Sequence, residues 1–280
     1  MRTDLHTHST VSDGTQSPAQ VVAAAHEAGL DVVALTDHDS TAGWAQAADA
    51  ARRLGVRFVP GMEISCGSDG VSVHLLSYLH DPSDDGLAVE VDAARDSRHH
   101  RAERIVELLA RDVEVSWADV EEQVAEGATI GRPHIADALV ARGVVRDREE
   151  AFAGLLSSRG PYYVRHYAPD PVHAVQLVVA AGGVPVMAHP MARRRGRVVA
   201  DEVIEEMADA GLAGLEVYHR DHDRDEREHL LALARRLDLL VTGSSDYHGA
   251  GKPNRLGENT TDDDVLAEIE RRATGTAVVG

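Results

Sequence analysis

The stretch Asp4-Leu5-His6-Thr7-His8 decides how the rest of the chain is interpreted. It is typical of the first strand in a repeated strand–helix pattern. Side chains two residues apart on a strand point to the same side, so both imidazoles face one way. Asp13 follows on the next loop. Imidazole and carboxylate groups gathered at one strand end are typical metal ligands. Because the histidines are embedded in an alternating apolar–polar pattern, a metal site is favoured over an expression tag.

The length and the charge of the chain limit the classes of protein to which it can belong. The chain has 280 residues, enough for one large α/β domain or a barrel with an insertion. Its 47 acidic residues outnumber 28 basic ones, which gives a net charge of −19. Such a chain repels phosphate backbones, so we expect no binding of long duplex nucleic acid. A phosphorylated ligand must be held locally, by metal ions or by clustered arginines.

The cysteine content and the hydropathy of the sequence exclude further kinds of protein. Cys66 is the only cysteine, which excludes an internal disulfide and a cysteine-ligated zinc knuckle. The sequence has no apolar run long enough to cross a bilayer and no signal-peptide pattern. We therefore expect a cytoplasmic protein without a membrane partner. The oligomeric state is left open. The chain has sixteen histidines, and their positions must decide which are functional.

The first eighty residues alternate predicted strands and helices. After the first strand, strands are predicted at 31–36, 56–59 and 71–78, and helices at 17–29 and 41–54. The second strand ends in Asp37-His38-Asp39, the third runs into Glu63, and the fourth carries His74. The continuous apolar run before Asp37 is typical of a strand buried on both faces. Each strand therefore delivers a candidate ligand.

The pattern changes between residues 81 and 165, where the sequence predicts helices and no convincing strand. Helices are predicted at 92–111, from Ser116, from Pro133 to Gly143, and after Asp147. Asp119, three residues after Ser116, is expected to complete a capping box with it. We predict a helical insertion domain at 81–165, and a metal-binding barrel built from 1–80 and 166–280.

The strand–helix alternation resumes after residue 165. Strands are predicted at 184–188, 212–217 and 239–243, and helices at 170–182, 199–210, 223–237 and 263–273. These elements deliver His189, Glu216, Asp246 and His248. The alternation predicts a parallel sheet of seven strands that right-handed crossovers can close into a barrel. Most candidate ligands fall at or just past carboxyl-terminal strand ends, where barrel enzymes build their sites.

These residue types favour metal-assisted hydrolysis. Zinc, manganese and iron accept imidazole nitrogen and carboxylate oxygen. Glu63, with histidines before and after it in the chain, is the best candidate for a carboxylate shared between ions. Ions about 3.5–4 Å apart ionise a shared water and hold both ends of a phosphoester during in-line attack. The sequence contains no G-x-S-x-G nucleophile motif and no P-loop.

The sequence resembles the PHP (polymerase and histidinol phosphatase) superfamily in five motifs that follow one another in order. They are Asp4-Leu5-His6-Thr7-His8-Ser9, Thr36-Asp37-His38-Asp39, Gly61-Met62-Glu63-Ile64, Ala188-His189-Pro190 and Ser245-Asp246-Tyr247-His248-Gly249. The resemblance covers the chain apart from the helical block. It implies an α/β fold, namely a distorted seven-stranded (β/α) barrel of PHP type that holds two or three divalent metal ions.

The resemblance also implies a ligand set, and no position of the family pattern is missing. One ion is held by His6, His8, Glu63 and Asp246. A second is held by Glu63, His74 and His189, and a third by Asp13, His38 and His248. Manganese, zinc and iron all suit this mixture of imidazole and carboxylate donors.

Within the superfamily, the chain is similar to stand-alone phosphoesterases that carry a small helical insertion. That subgroup includes phosphatases of nucleoside 3′,5′-bisphosphates and nucleases that trim short RNA from its 5′ end. The shared features are Gly131-Arg132-Pro133-His134 in the insertion and Glu216-Val217-Tyr218-His219 on the sixth strand.

Three residues of these shared motifs are candidates for binding and catalysis. Arg132 and His134 stand at a helix start, whose free N–H groups favour an anion, and arginine adds a fork of donors for phosphate. Alternatively, Pro133 merely starts the helix and His134 lies on its face. His219, just past a strand end, is a candidate donor that orients phosphate or protonates the leaving oxygen.

Other basic residues are harder to assign. Arg194 lies in the run Arg193-Arg194-Arg195, which with Arg197 forms either a solvated charge run or a second phosphate pocket. His222 and His229 look like solvated residues of an acidic helix. Six histidines away from strand ends are assigned no chemistry: His26, His80, His99, His100, His166 and His173. Cys66 follows the Glu63 strand, but no partner suggests a nucleophile.

The sequence thus predicts a metal-dependent phosphoesterase that hydrolyses small phosphomonoesters by attack of a metal-bound hydroxide. The expected partner is a small phosphorylated substrate: a nucleoside 3′,5′-bisphosphate, another nucleotide or a short RNA end. Two alternatives stay open. One is a histidinol-phosphate phosphatase, which has the same metals and chemistry. The other is a non-catalytic PHP module that metal ions stabilise.

Overall fold

A computed structural model describes residues 1–125, 127–157 and 159–280 of the chain, with seven strands in one sheet. The strands are β1 (Thr3–Asp4), β2 (Val32–Leu35), β3 (Arg57–Ser68), β4 (Val71–Tyr78), β5 (Val184–Ala188), β6 (Gly214–Tyr218) and β7 (Leu240–Gly243). They pair in chain order from β1 to β7. Beyond the two end strands, Thr7 pairs with Tyr247, which nearly closes the sheet into a barrel. The predicted seven-stranded α/β barrel is confirmed.

The helices surround this sheet. They are α1 (Pro18–Glu27), α2 (Trp44–Leu54), α3 (Asp85–Leu109), α4 (Trp117–Glu121), α5 (Arg132–Ala141), α6 (Arg148–Ala153), α7 (Pro171–Ala180), α8 (Asp201–Asp209), α9 (Arg224–Leu237) and α10 (Asp263–Arg272). Side-chain caps fix several starts, and the predicted capping box of Ser116 with Asp119 is confirmed. In the part of the chain that the structure describes, no helix combines the length and apolar character needed to cross a membrane.

Strand β4 corrects the prediction of a parallel sheet. It runs antiparallel to both β3 and β5, whereas the other neighbouring pairs are parallel. Only Asp69 and Gly70 join β3 to β4, and both have left-handed φ angles, 47° and 73°. This is the two-residue Asp-Gly turn of a tight hairpin, and a parallel crossover needs a dozen or more residues.

Two strand bounds differ from the prediction, and the hairpin explains the first of them. Strand β3 extends to Ser68 because β4 pairs with its second half, so Glu63 lies within the strand and not past its end. Strand β1 ends at Asp4, and His6 and His8 lie on the segment that continues from it. That segment is held by the Tyr247 carbonyl, which accepts the His8 N–H at 2.8 Å.

Three hydrophobic clusters build the barrel core. One takes inward-facing side chains from consecutive strands, such as Val32, Val59, Leu76 and Val186, and is closed by Leu266 of α10. The other two lie between the outer face of the sheet and the helices, α1 and α2 on one side and α7 to α9 on the other. Burying each large aliphatic side chain stabilises the fold by about 1.5–3 kcal/mol.

A fourth cluster belongs to the block in which the sequence predicts only helices. It joins the second half of α3 to α4, α5 and α6 through buried residues between 102 and 156. We call this part of the chain the helical lobe. The first half of α3 packs on the barrel through Leu87 and Val91. No strand occurs among the described residues of 81–165. Because α3 takes part in both cores, the domain boundaries at 81 and 165 stay a prediction.

Candidate metal centre

All nine predicted ligands converge at one end of the barrel. They are His6, His8 and Asp13 after β1, His38 after β2, Glu63 on β3, His74 on β4, His189 after β5, and Asp246 and His248 after β7. Their donor atoms form four groups, within each of which the donor atoms lie within 4.8 Å of one another. The end of the barrel that carries these residues is the one at which the parallel strands finish, as the sequence predicts.

Glu63 lies at the middle of this arrangement. Its Oε2 atom is 3.1 Å from both His8 Nε2 and His38 Nδ1, and 3.4 Å from His6 Nε2. Its Oε1 atom is 2.7 Å from His74 Nδ1 and 3.1 Å from His189 Nε2. Burial acts to raise the pKa of Glu63, but the surrounding histidines, His74 first, hold it well below its usual range. An ionised carboxylate with both oxygens facing imidazoles has the geometry of a bridging ligand.

The remaining carboxylates, those of Asp246 and Asp13, also lie close to histidines of the centre. Asp246 Oδ1 is 3.5 Å from the Nε2 atoms of His6 and His8. Asp13 Oδ1 is 3.1 Å from His248 Nε2, and Asp13 Oδ2 is 3.9 Å from His38 Nε2.

The observed grouping differs in part from the sets that the resemblance implies. Asp13, His38 and His248 are together as expected, with His8 as a fourth member; we call these four the Asp13 group. His38 also joins Glu63 and His74, while His6 joins Glu63 and His189.

Two orphaned ring nitrogens show that these residues fit metal ions. His38 Nδ1 and His248 Nε2 are buried and have no hydrogen-bond partner among the described residues. Leaving a buried polar atom unpaired costs about 1–3 kcal/mol. Each nitrogen instead has a carboxylate oxygen 3.1 Å away, so the two atoms of each pair would suit neighbouring ligand positions on one cation. The donor set is the nitrogen–oxygen mixture that manganese, zinc and iron accept.

Glu216, to which the sequence analysis assigned no role of its own, is also a site residue. Its Oε1 atom accepts the Nδ1–H of His6 at 2.9 Å, and its Oε2 atom accepts the backbone N–H of His189 at 2.8 Å. Burial opposes ionisation, but the contact with His6 lowers the pKa of Glu216 to about 2. With Nδ1 protonated, His6 turns the lone pair of Nε2 towards Glu63 and Asp246. The available signal was an acidic residue within the apolar strand β6.

Two other buried acids hold the loops that carry ligands. Asp37 accepts the backbone N–H of Ser9 and the hydroxyl of Ser12, both at 2.7 Å. Asp4 accepts the backbone N–H groups of Ser245 and Gly257, at 3.0 and 2.9 Å. Burial raises the pKa of Asp4 to about 6. These carboxylates fix the first and last ligand loops against the barrel.

Backbone conformation singles out three residues of the centre. Asp39, His189 and Asp246 have positive φ angles of 50°, 30° and 53°. Residues other than glycine adopt this left-handed region at a cost of about 1–3 kcal/mol each. The cost is borne where the chain turns ligand side chains inward from the strand ends.

Comparison with known proteins agrees with this centre. The model of the PHP domain matches residues 4–115. A Chromobacterium violaceum protein named 3′,5′-nucleoside bisphosphate phosphatase is 34% identical over 266 residues, which cover 92% of this chain and 91% of that protein. A Haemophilus influenzae protein named 5′-3′ exoribonuclease is 31% identical over 256 residues, with 91% and 93% covered.

A solved structure extends the likeness to the whole fold. It is that of a Bifidobacterium adolescentis protein assigned as a metal-dependent phosphoesterase. It is 45% identical, has a TM-score of 0.95, and covers 97% of this chain and 96% of its own. The chain belongs to the PHP family. It is a metal-dependent phosphoesterase, a hydrolase that acts on phosphoric ester bonds, and the resemblance drawn from the five motifs is confirmed.

His219 lies inside the PHP centre. Its ring is fully buried, 5.4 Å from the ring of His189, and its Nε2 atom is 3.6 Å from Asp246 Oδ2. Its Nδ1 atom accepts the backbone N–H of Asp221 at 3.1 Å. A neutral imidazole that accepts at Nδ1 carries its proton on Nε2. The ring therefore presents a donor to the centre.

The arginine run places a different residue in the centre from the one predicted. Arg194 is exposed on a short 3₁₀ turn. Arg195, whose side chain is 33% exposed, donates to Asp246 Oδ2 and Asp221 Oδ2, each at 2.6 Å. Lys252 Nζ lies 3.2 Å from the same Asp246 oxygen. Of the three consecutive arginines, the contacts favour Arg195, and a substrate role for Arg194 stays a prediction.

Arg132 belongs to a basic cluster on the lobe side of the centre. It donates to the Leu156 carbonyl at 3.2 Å, and Arg101 donates to the Val164 carbonyl at 2.9 Å. Burial and the charge of Arg132 lower the pKa of Arg101 to about 9. Arg98 joins the cluster to the centre, because it donates to Asp39, next to His38, at 2.7 Å. We call Arg98, Arg101 and Arg132 the arginine cluster.

His166 accompanies the arginine cluster, although no sequence pattern assigns chemistry to it. Burial and the charges of Arg101 and Arg98 lower its pKa to about 3. The imidazole is therefore neutral near pH 7.

His134 has partners within the protein. It is 5% exposed, and its Nδ1 atom accepts the backbone N–H of Gly131 at 3.1 Å. The backbone of Ser12 is a second partner of its ring. These contacts indicate that His134 joins the lobe to the Asp13 loop, and direct phosphate contact stays a prediction.

Two further histidine assignments can be compared with the structure. His222 is 3% exposed, so its interpretation as a solvated residue is wrong. Its Nδ1 atom donates to the Val217 carbonyl at 2.8 Å, and its Nε2 atom accepts the Met191 N–H at 3.2 Å. His229 lies on the solvent-facing side of α9 as predicted, and pairs with Asp201.

Proposed function

We propose that the substrate of this PHP enzyme is a nucleoside 3′,5′-bisphosphate, with a short RNA end as the second candidate. The observation that carries this proposal is the arginine cluster beside the centre in a chain of net charge −19. Among the described contacts, Arg101 and Arg132 donate to carbonyls and not to carboxylates. Two partly buried guanidinium groups without an acidic partner among these contacts favour an anionic ligand.

A second basic group supports a ligand with two phosphates. Arg195, Lys252 and the Nε2–H of His219 meet at Asp246, on the barrel side of the centre. The arginine cluster lies on the lobe side, and in this proposal each basic group binds one phosphate of the bisphosphate. A simple phosphomonoester would leave one group unused.

The same nine residues are the proposed ligands of two or three divalent ions, of manganese, zinc or iron. Glu63 would be shared between ions, with the Asp13 group on one side of it. Ions held there supply Lewis-acid stabilisation of charge on phosphoryl oxygens and acidify the attacking water.

The protein groups around the ions have separate roles in this proposal. Glu216 orients the ring of His6 through Nδ1 and fixes the backbone of His189. His219 donates from Nε2 to the phosphate or to the leaving oxygen. Arg132 binds phosphate from the lobe, and its preorganised guanidinium matches two phosphate oxygens. Arg195 exchanges part of its contact with Asp246 for the incoming anion.

The proposal is tested by phosphate release from a panel of substrates with manganese-loaded protein. The panel contains adenosine 3′,5′-bisphosphate, adenosine 5′-monophosphate, a short 5′-phosphorylated RNA and histidinol phosphate. We expect the highest kcat/KM with the bisphosphate. Preference for the RNA would select the second candidate. Preference for histidinol phosphate would overturn the nucleotide proposal and leave the metal centre intact.

A matched pair of variants tests the role of the lobe. Arg132→Ala should lower kcat/KM for the bisphosphate about 10–100-fold, as expected for a charged hydrogen bond worth about 1.5–3 kcal/mol. Arg142→Ala is the control, because Arg142 caps the same helix but pairs with Glu114 at the surface. Equal kinetics for the two variants would remove Arg132 from the substrate site.

Chelation separates the enzyme from a non-catalytic module. Removing the metal from an enzyme should abolish turnover and lower stability together, and added manganese should restore both. A structural module would lose stability on chelation and would show no turnover even with metal bound. If the metal-loaded protein released no phosphate from any substrate of the panel, that alternative would be favoured.

A further inference from the structure

We propose that Arg148 of the helical lobe positions the loop that carries Asp13, and thereby sets how tightly the Asp13 group binds its metal ion. This inference rests on the proposed ligand role of Asp13 and His248. It extends that role, because it makes the metal content of the barrel depend on a residue of the lobe.

The lobe contacts the Asp13 loop at three points. The backbone N–H of Thr129 donates to the Val11 carbonyl at 2.9 Å. The ring of His134 lies against the backbone of Ser12. Arg148 donates from Nη1 to the carbonyl of Asp13 at 3.4 Å. Three successive residues of a ligand loop are therefore held by the lobe.

Arg148 is itself rigidly placed. Its Nε and Nη2 atoms donate to the two carboxylate oxygens of Asp137, each at 2.6 Å. Such a bidentate pair fixes the plane of a guanidinium group. The side chain is 18% exposed, so solvent screens the pair only in part. The remaining Nη1 edge is thus aimed at the barrel.

The same guanidinium also lies against the loop that follows His248. A Cβ atom added at Gly251 would be only 2.5 Å from Arg148 Nη1, so Gly251 allows the arginine to lie across this loop. The two ligand loops are joined to each other as well. The Thr15 N–H donates to the His248 carbonyl at 3.1 Å, and the Ala250 N–H donates to Thr15 Oγ1 at 2.8 Å. Arg148 therefore spans the loops of Asp13 and His248.

The Asp13 group is the part of the centre that most needs this support. Asp13 lies on a loop nine residues beyond the end of β1, whereas Glu63 and His74 are fixed within paired strands. Outer contacts that orient metal ligands are typically worth about 10–100-fold in metal affinity. Loosening Arg148 should therefore weaken one ion selectively.

The experiment is a Mn²⁺ titration of chelated protein, with the number of ions and their affinities measured by equilibrium dialysis and elemental analysis. The test variants are the double change Arg148→Ala, Asp137→Ala, which leaves no unpaired carboxylate, and Gly251→Ala. The control is Arg146→Ala, because Arg146 precedes the same short helix but its ion pair in the described part of the chain is with Glu150 at the surface. We expect both test variants to bind the weakest Mn²⁺ at least about 10-fold less tightly than the wild type and the control.

The Mn²⁺ affinities of these variants distinguish a positioning role of Arg148 from a purely structural one. Gly251→Ala displaces the guanidinium without changing the lobe, so it decides the question if the double variant fails to fold. Unchanged Mn²⁺ affinity in Gly251→Ala and the double variant would overturn the inference. Lower stability of the metal-free protein with unchanged Mn²⁺ affinity would also overturn it, because Arg148 would then be only a structural tie. A wild type that binds no Mn²⁺ would instead refute the proposed function.

Discussion

The carboxylate of Glu216 accepts the Nδ1–H of His6 at 2.9 Å, and the geometry of the PHP centre depends on this contact. The second oxygen of Glu216 accepts the backbone N–H of His189 at 2.8 Å. One side chain on β6 thus orients proposed ligands that follow the first and the fifth strands. Without it, neither the ring of His6 nor the left-handed turn at His189 has a fixed position.

Replacing Glu216 by glutamine should therefore weaken metal binding without removing a ligand. The amide keeps one acceptor but has no charge, so it no longer selects the tautomer of His6 that frees Nε2. We expect metal affinity to fall about 10–100-fold, as is typical of such outer contacts. The check is a metal titration beside Glu228→Gln, which changes an exposed glutamate on α9. An affinity equal to that of this control would contradict the assigned role.

Glu63→Gln should have a larger effect on turnover, because both oxygens of Glu63 face histidines of the centre. Losing a shared ligand should remove several kcal/mol of transition-state stabilisation, or at least about 1,000-fold in kcat/KM. Circular dichroism should match that of the chelated wild type, which controls for misfolding. Retention of more than a tenth of the activity would show that Glu63 is not the shared ligand.

His80 should make the protein less stable in acid. Burial lowers the pKa of His80 to about 4, although Asp81 and Asp84 nearby raise it in part, and its ring lies against Ser77 and Trp44. Since the folded pKa is below the unfolded value of about 6.5, the unfolded chain binds this proton first as pH falls. Neutral His80 therefore makes its full contribution to the free energy of unfolding above about pH 6.5. As the pH falls towards about 4, the free energy of unfolding decreases by up to about 3 kcal/mol.

The test is urea unfolding of the chelated protein at several pH values between 7 and 4. His80→Gln should reduce the loss of unfolding free energy over this range, whatever its effect at pH 7. His26→Gln, at an exposed position of α1, serves as the control. Identical pH slopes for the wild type and His80→Gln would rule out this assignment.

Cys66 should be dispensable for catalysis. The thiol is buried, and burial together with nearby carboxylates, Asp39 first, raises its pKa well above the usual range. A thiol that stays protonated is a poor nucleophile. Cys66→Ala should keep kcat within about twofold, since it removes no group of the centre, with at most about 1–3 kcal/mol lost in stability. A loss of turnover in a folded variant would show that the thiol participates.

Much of this molecule could be predicted from the sequence because most of the proposed ligands follow strand ends. Strand positions come from local apolar patterns, and the ends of neighbouring parallel strands meet at one edge. The same reasoning predicts the positions of His38 and His189 at this edge. The direction of β4 was missed, although Asp69-Gly70 between alternating residues is a strong hairpin signal. That error came from extending the strand–helix alternation over a strand pair that has no helix.

Other features depend on contacts that no local pattern encodes. Arg194 and Arg195 are neighbours of the same type, and only the conformation of the 3₁₀ turn directs one of them to Asp246. His134 stands at a helix start that favours anions, yet its partners come from Gly131 and from the distant Ser12. Such choices are made by tertiary packing across more than a hundred residues.

The left-handed backbone at His189 and Asp246 has a consequence for engineering and evolution. Glycine at either position would relieve about 1–3 kcal/mol of conformational energy and remove a proposed ligand at the same time. Selection for thermostability alone would therefore favour a stable barrel without catalytic activity. Sequences that retain histidine and aspartate there record continued demand for turnover, and screens for stabilised variants need an activity filter at these two positions.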